Sequence, residues 1–212
     1  MEGDSQWTLL NAASVLATHV RLRRATLVEL MVTVVVAAIL LGVAVPTFQV
    51  TINNGRLATA SNELLVSLQT ARVEAIRYND HTVVCLSKTA NTSTPTCAAA
   101  AATDATGWIT FVDVDHNDTY NSGDRLLRRS TVPENIKLLA SSNIPQQIRV
   151  MYRPDGYARN LLATSLLNGN IDVCMQTKRP PENVRRVAIG TGSRIGITRV
   201  AVANGACNTP PN

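Results

Sequence analysis

One carboxylate stands where lipid would surround it. Glu29 is the sole charge in Leu27–Phe48, LVELMVTVVVAAILLGVAVPTF, and the next charge is Arg56. A carboxylate at the edge of such a run is costly to bury in hydrocarbon and calls for a partner. Opposite charges attract far more strongly in lipid than in water, so the chemistry open to Glu29 is ion pairing. The plainer alternative is a carboxylate that snorkels to the headgroup interface.

A second concentration of oxygen ligands runs from Asp113 to Asp124, DVDHNDTYNSGD. Asp113, Asp115, Asn117 and Asp124 alternate in the manner of a calcium loop, with an acid at the twelfth position. The sixth position is Asp118 where such loops need glycine, and no helix pair flanks the segment. An acidic turn between strands is the reading preferred here.

Cations concentrate at the other end of the chain. The net charge is +5 and the pI about 9.3, which favours anionic partners modestly. From residue 145 onward nine basic residues face three acidic ones. Arg185, Arg186, Arg194 and Arg199 fall in a segment that reads as a hairpin, and clustered cations of this kind can hold phosphates. A solvated basic face, or one that docks an acidic neighbour, is the preferred reading.

Four cysteines, Cys85, Cys97, Cys174 and Cys207, allow three pairings. Cys85–Cys97 and Cys174–Cys207 are favoured because each closes a local loop, restricting the unfolded chain by about 3 kcal/mol. Zinc is a poor fit, since no Cys-x-x-Cys pair occurs. Nothing suggests an enzyme or a cofactor. His19, His81 and His116 are scattered, and no nucleophile elbow, metalloprotease motif or phosphate loop appears.

These groups need elements to carry them. The apolar run is long enough to cross a bilayer as a helix, because about 20 residues span the hydrocarbon. Arg21, Arg23 and Arg24 before it hold that end in the cytoplasm, which sends the rest of the chain outward, where cysteines oxidise. Beyond it Leu57, Ala60, Leu64, Leu68, Ala71 and Ala75 recur at three and four residues, the stripe of a helix packed on its own sheet. Pro46 removes an N–H and should kink or loosen that helix. Tyr78-Asn79-Asp80 ends it. Seven β-branched runs follow: 81–87, 108–113, 126–131, 147–152, 170–176, 185–191 and 194–202. Residues 90–106 and 178–183 read as loops, and Pro154-Asp155-Gly156 as a turn. The expected fold class is α+β, one long helix packed on antiparallel sheet. The domains expected are a leader over 1–24, a membrane helix over 25–48, its amphipathic continuation over 49–80, and a β-rich domain over 81–212.

Thr26-Leu27-Val28-Glu29-Leu30-Met31-Val32, with Pro46 at the matching spacing, resembles the start of type IV pilins and pseudopilins, G-F-T-L-[IV]-E. Ala71-Arg72-Val73-Glu74-Ala75-Ile76-Arg77 and Gly107-Trp108-Ile109-Thr110-Phe111-Val112-Asp113 resemble the GspH/FimT/FimU branch, which holds type II secretion pseudopilin H and minor pilins of type IV pili. The resemblance implies a pilin-like fold and a structural role in priming or joining a filament. The partners implied are other minor pilins, the major pilin or pseudopilin, the inner membrane and prepilin peptidase. The location implied is the inner membrane with the C-terminal domain in the periplasm, and later the pilus or pseudopilus. Glu29 would meet the N-terminal amine of a neighbouring subunit. That peptidase normally cuts between Gly and Phe. Arg24 and Ala25 stand at those places, which leaves processing at this junction open. FimT-like minor pilins that take up double-stranded DNA carry G-R-x-R near their C-terminus. Here Gly192-Ser193-Arg194-Ile195-Gly196 retains only Arg194, offset by one.

Overall fold

A computed structural model of the chain describes residues 26–99, 105–144, 149–159 and 165–212. The leader 1–24 and the Arg24–Ala25 junction lie outside the described residues. The chain divides into two compact units, Met1–Val45 and Pro46–Asn212. Helix α1 spans Leu27–Tyr78 and is unbroken through Pro46.

In the N-terminal unit, α1 starts on a side-chain cap. Thr26 Oγ1 accepts the Glu29 N–H at 3.2 Å, satisfying a donor that has no partner within the helix. The large apolar side chains that follow are 50–76% exposed. Thr33 Oγ1 donates to Leu30 O at 2.8 Å, so this hydroxyl is satisfied by its own helix. The helix is long and apolar enough to cross a membrane.

In the second unit, α1 buries the stripe Leu57, Ala60, Leu64, Leu68, Ala71 and Ala75, none more than 4% exposed. Each fully buried leucine there contributes about 1.5–3 kcal/mol. The helix stops in a left-handed cap. Asn79 has φ 53°, its N–H reaches Ile76 O, and the Asp80 N–H reaches Ala75 O.

Nine strands follow: β1 (His81–Ser87), β2 (Gly107–Asp113), β3 (Arg125–Thr131), β4 (Ile136–Ala140), β5 (Arg149–Tyr152), β6 (Ala158–Arg159), β7 (Gly169–Met175), β8 (Val184–Ile189) and β9 (Ile195–Val200). They form two antiparallel sheets, ordered β3-β2-β1-β5-β6 and β4-β7-β8-β9. The main core joins α1 to one face of each sheet, through Val84, Leu86, Trp108, Val150 and Tyr152 from the first and Ile136, Leu138, Ile171, Val173, Val187 and Ile189 from the second. The other face of the first sheet packs Val83, Cys85, Ile109, Phe111, Leu126 and Met151 under Ala90, Cys97 and Tyr120. Burial on both faces explains why β1 and β2 are nearly continuous apolar runs rather than alternating ones. Trp108 Nε1 donates to Ser67 Oγ at 2.8 Å, a buried hydrogen bond from sheet to helix.

Two strands escaped the sequence pattern. β4, Ile-Lys-Leu-Leu-Ala, holds one β-branched residue, and it forms because Ile136 and Leu138 face the core opposite Met175 and Val173. β6 is two residues long and follows the turn in which Gly156 N donates to Arg153 O at 2.8 Å with φ 76° at the glycine. Strand ends also shift: β8 stops at Ile189 and β9 runs only from Ile195 to Val200.

Both disulfides join local partners, Cys85–Cys97 and Cys174–Cys207. The second binds the C-terminal tail over the outer face of the second sheet. Buried Asn183 secures the tail further, donating to Ala206 O at 3.0 Å and accepting the Val202 N–H at 3.1 Å. Gly205, φ 67°, lies so close to Thr177 O that no side chain fits there.

Candidate functional site

Glu29 sits in the first turn of α1, exposed among Leu27, Val28, Leu30 and Met31. An anion there opposes the positive end of the helix macrodipole. Thr26 and Glu29 stand at the spacing of a capping box, Thr-x-x-Glu, which could have been read from the sequence. Pro46 lies within the same helix.

The four arginines proposed as one basic cluster separate into two kinds. Arg185 is 3% exposed and gives its guanidinium protons to Asn54 Oδ1 at 2.7 Å, Glu182 O at 2.8 Å and Val184 O at 3.2 Å. Burial pulls its pKa down and Arg199 adds to the shift, while Glu182 opposes it. Arg186 forms a two-pronged pair with Asp172, Nε to Oδ1 and Nη2 to Oδ2, both at 2.8 Å, and Asp172 is 2% exposed. That pair raises the Arg186 pKa. Both side chains are therefore engaged in holding the fold. Arg194 and Arg199 are exposed. Asn54 and Asp172, the partners that settle this division, carry no local sequence signal, because they lie 131 and 14 residues from their arginines.

The acidic segment joins β2 to β3. Asp113, Asp115 and Asp124 each bring one carboxylate oxygen within 4.8 Å of the others. The loop's own donors already address them. Asp113 accepts the N–H of Asn117 and of Asp118, and Asp124 accepts those of Val114 and Asn121. The Asn117 side-chain Oδ1 accepts the Thr119 N–H and its Nδ2 donates to Asp115, so Asn117 serves the turn. Burial pushes Asp113 up to about 6, helped by the neighbouring Asp115 carboxyl and opposed by the two N–H groups. His81 and His116, separate in sequence, stack with centroids 4.2 Å apart, and His116 Nε2 lies 2.6 Å from Asp80 Oδ1. That bond raises the His116 pKa and ties the acidic turn to the end of α1.

Residues 60–193 match the profile of a family described as Type II transport protein GspH. The chain belongs to the GspH family. The matched span takes in most of the buried stripe of α1 and β1 to β8, while the apolar first half of α1, β9 and the tail lie outside it. Among solved structures, two crystal forms of the type IV minor pilin FimU of Pseudomonas aeruginosa (strain PAO1) are similar. The P21 form has 16% identity and TM-score 0.46, covering 72% of this chain and 97% of that one. The P65 form has 17% identity and TM-score 0.44, covering 71% and 100%. No curated protein matches. GspH-family membership makes this a pilin or pseudopilin, a structural protein and not an enzyme.

Proposed function

We propose that this GspH-family chain is a minor subunit that primes or joins a type IV pilus or a type II secretion pseudopilus. The observation that carries this reading is α1 itself. One continuous helix of 52 residues combines an exposed apolar first half with a second half buried in the β-rich unit. Such a helix holds the subunit in the inner membrane, with the β-rich unit in the periplasm, and later lies among the helices of neighbouring subunits. Glu29 then pairs with the N-terminal amine of the next subunit, and that charge match in low dielectric sets the register. The partners are the major subunit, other minor subunits and, where the leader is removed at Arg24–Ala25, prepilin peptidase.

Cysteines placed at exposed positions such as Val36 and Leu40 test this reading. During filament assembly they should crosslink to matched cysteines in the major subunit, and Glu29→Ala should reduce the yield. Absence of any crosslink while filaments form would refute it. Mass spectrometry of the membrane-extracted protein should give an N-terminus at Ala25. A DNA-receptor reading takes second place, because Arg185 and Arg186 are engaged inside the fold.

A further inference from the structure

The edge of the second sheet differs from its other margins. β9 is an outer strand paired only with β8. Gly190 N donates to Arg194 O at 3.0 Å, and these two residues stand one step beyond the pair Ile189/Ile195. Antiparallel ladders alternate hydrogen-bonded and non-bonded pairs. Gly196, Thr198 and Val200 therefore turn their N–H and C=O groups toward β8, whereas Ile195, Ile197 and Arg199 turn theirs outward. Among the described residues no backbone group pairs with that margin. The tail beyond β9 leads away from it, across the outer face to Asn183, Cys174 and Asn170.

The remaining margins are blunted. β3 is itself bulged, with Leu127 unpaired between Leu126 and Arg128, it carries three arginines, and its Arg129 reaches over to Thr92 O. β6 has two residues. β4 is entered from a turn at Pro133 and carries Lys137. Proteins do not leave a flat, unbulged edge strand open without consequence, because its free backbone groups are a template for another strand.

Charge selects what could pair there. Arg199 stands directly across the ladder from Arg185, and like charges at opposed positions are destabilising. Arg185 is already bonded to Asn54 and two carbonyls. Among the described residues neither Arg194 nor Arg199 has a carboxylate at ion-pair distance. A second copy of this chain is a poor occupant, since two β9 strands would bring four arginines into one ladder. We propose that the outer edge of β9 receives an extended acidic segment of another polypeptide as a fifth strand of the second sheet. Its backbone bonds Ile195, Ile197 and Arg199, and carboxylates five residues apart meet Arg194 and Arg199 on opposite faces. This is strand addition, with main-chain bonds supplying affinity and the arginines supplying selectivity. The edge exists whether or not α1 enters a filament, so the inference stands apart from the filament reading.

The test uses the full chain in detergent micelles and the acetylated, amidated peptide Val-Glu-Thr-Val-Thr-Val-Glu-Thr. With saturating peptide, amide exchange at Ile195, Ile197 and Arg199 should slow at least tenfold, while Gly196 and Thr198 keep their existing protection. The same peptide with Lys for Glu should bind at least tenfold more weakly. Ile197→Pro removes an outward donor and leaves the β8 ladder complete, so it should abolish the effect. Arg199→Glu, an exposed charge reversal that does not depend on Pro being accommodated, should cancel the preference, since Arg194 still attracts one carboxylate while the new glutamate repels the other. Unchanged exchange, equal binding of both peptides by the parent chain, or Arg199→Glu without effect would overturn the proposal. So would self-pairing of β9 in the peptide-free chain. Binding of a charge-matched DNA duplex in place of the peptide would make this a phosphate surface and would overturn it equally.

Discussion

Arg185→Ala and Arg194→Ala should behave as different kinds of change, although both remove one arginine from the same basic region. Arg185 is 3% exposed and holds Asn54 Oδ1 on α1 and two carbonyls beside β8. Removing it leaves those acceptors without a donor in a nearly dry place. A hydrogen bond involving a charged group contributes about 1.5–3 kcal/mol, and a neutral one about 1. Relief of the buried charge and of the opposed Arg199 offsets part of that loss. The balance is a destabilisation of about 3 kcal/mol, which for a unit of this size lowers Tm by roughly 6–12 °C. Arg194 is exposed, and its removal should cost within about 0.5 kcal/mol. Thermal unfolding of the two variants by circular dichroism, beside the parent in the same detergent, measures both. A loss below about 1 kcal/mol for Arg185→Ala, or equal losses for the pair, would refute the division into structural and surface arginines. The division also bears on DNA binding, since a gel shift weakened in Arg185→Ala would report a disturbed fold around Asn54 and β8 rather than a missing phosphate contact.

Replacing Cys174 and Cys207 by serine should cost about 3–4 kcal/mol and Cys85 with Cys97 about 3, because the first bridge spans 33 residues and the second 12. Denaturant titration would rank them, and the first pair should also speed amide exchange in the tail. Asp113 has a folded pKa of about 6 against 3.8 unfolded, so the folded state binds the extra proton between those values. Its contribution to stability is therefore complete below about pH 4 and is lost as pH rises to about 6. Stability should therefore fall across that window, and Asp113→Asn should flatten the slope in melts taken through it. A chelator should leave Tm unchanged, because the loop's own N–H groups address Asp113 and Asp124, and a rise in Tm on adding Ca²⁺ would refute this.

Periodic features were the legible ones. Leu57 to Ala75 repeats at helical spacing over five turns, and each of the six positions reached the core. The strands β1, β2 and β9 are rich in β-branched residues and were readable for that reason. β4 was not, since its leucines carry no strand preference and its place is decided by β7 alone. The division of the basic region into buried and exposed arginines was not legible for a related reason. Sequence shows a charge but not whether an acid 14 residues upstream or an asparagine 131 residues upstream will meet it. The stacked histidines were missed likewise, because the turn after β2 brings His116 back over His81.

The hydrogen bond from Trp108 to Ser67 gives this molecule a built-in optical gauge. The chain has two tryptophans, Trp7 and Trp108, and removal of residues 1–24 would leave only the second. Its indole is fully enclosed and tethered to α1, so its emission would follow one event, the parting of helix from sheet. A red shift on entry into a filament would mean that the β-rich unit loosens its grip on the helix, and a constant spectrum would mean that it travels as a rigid body.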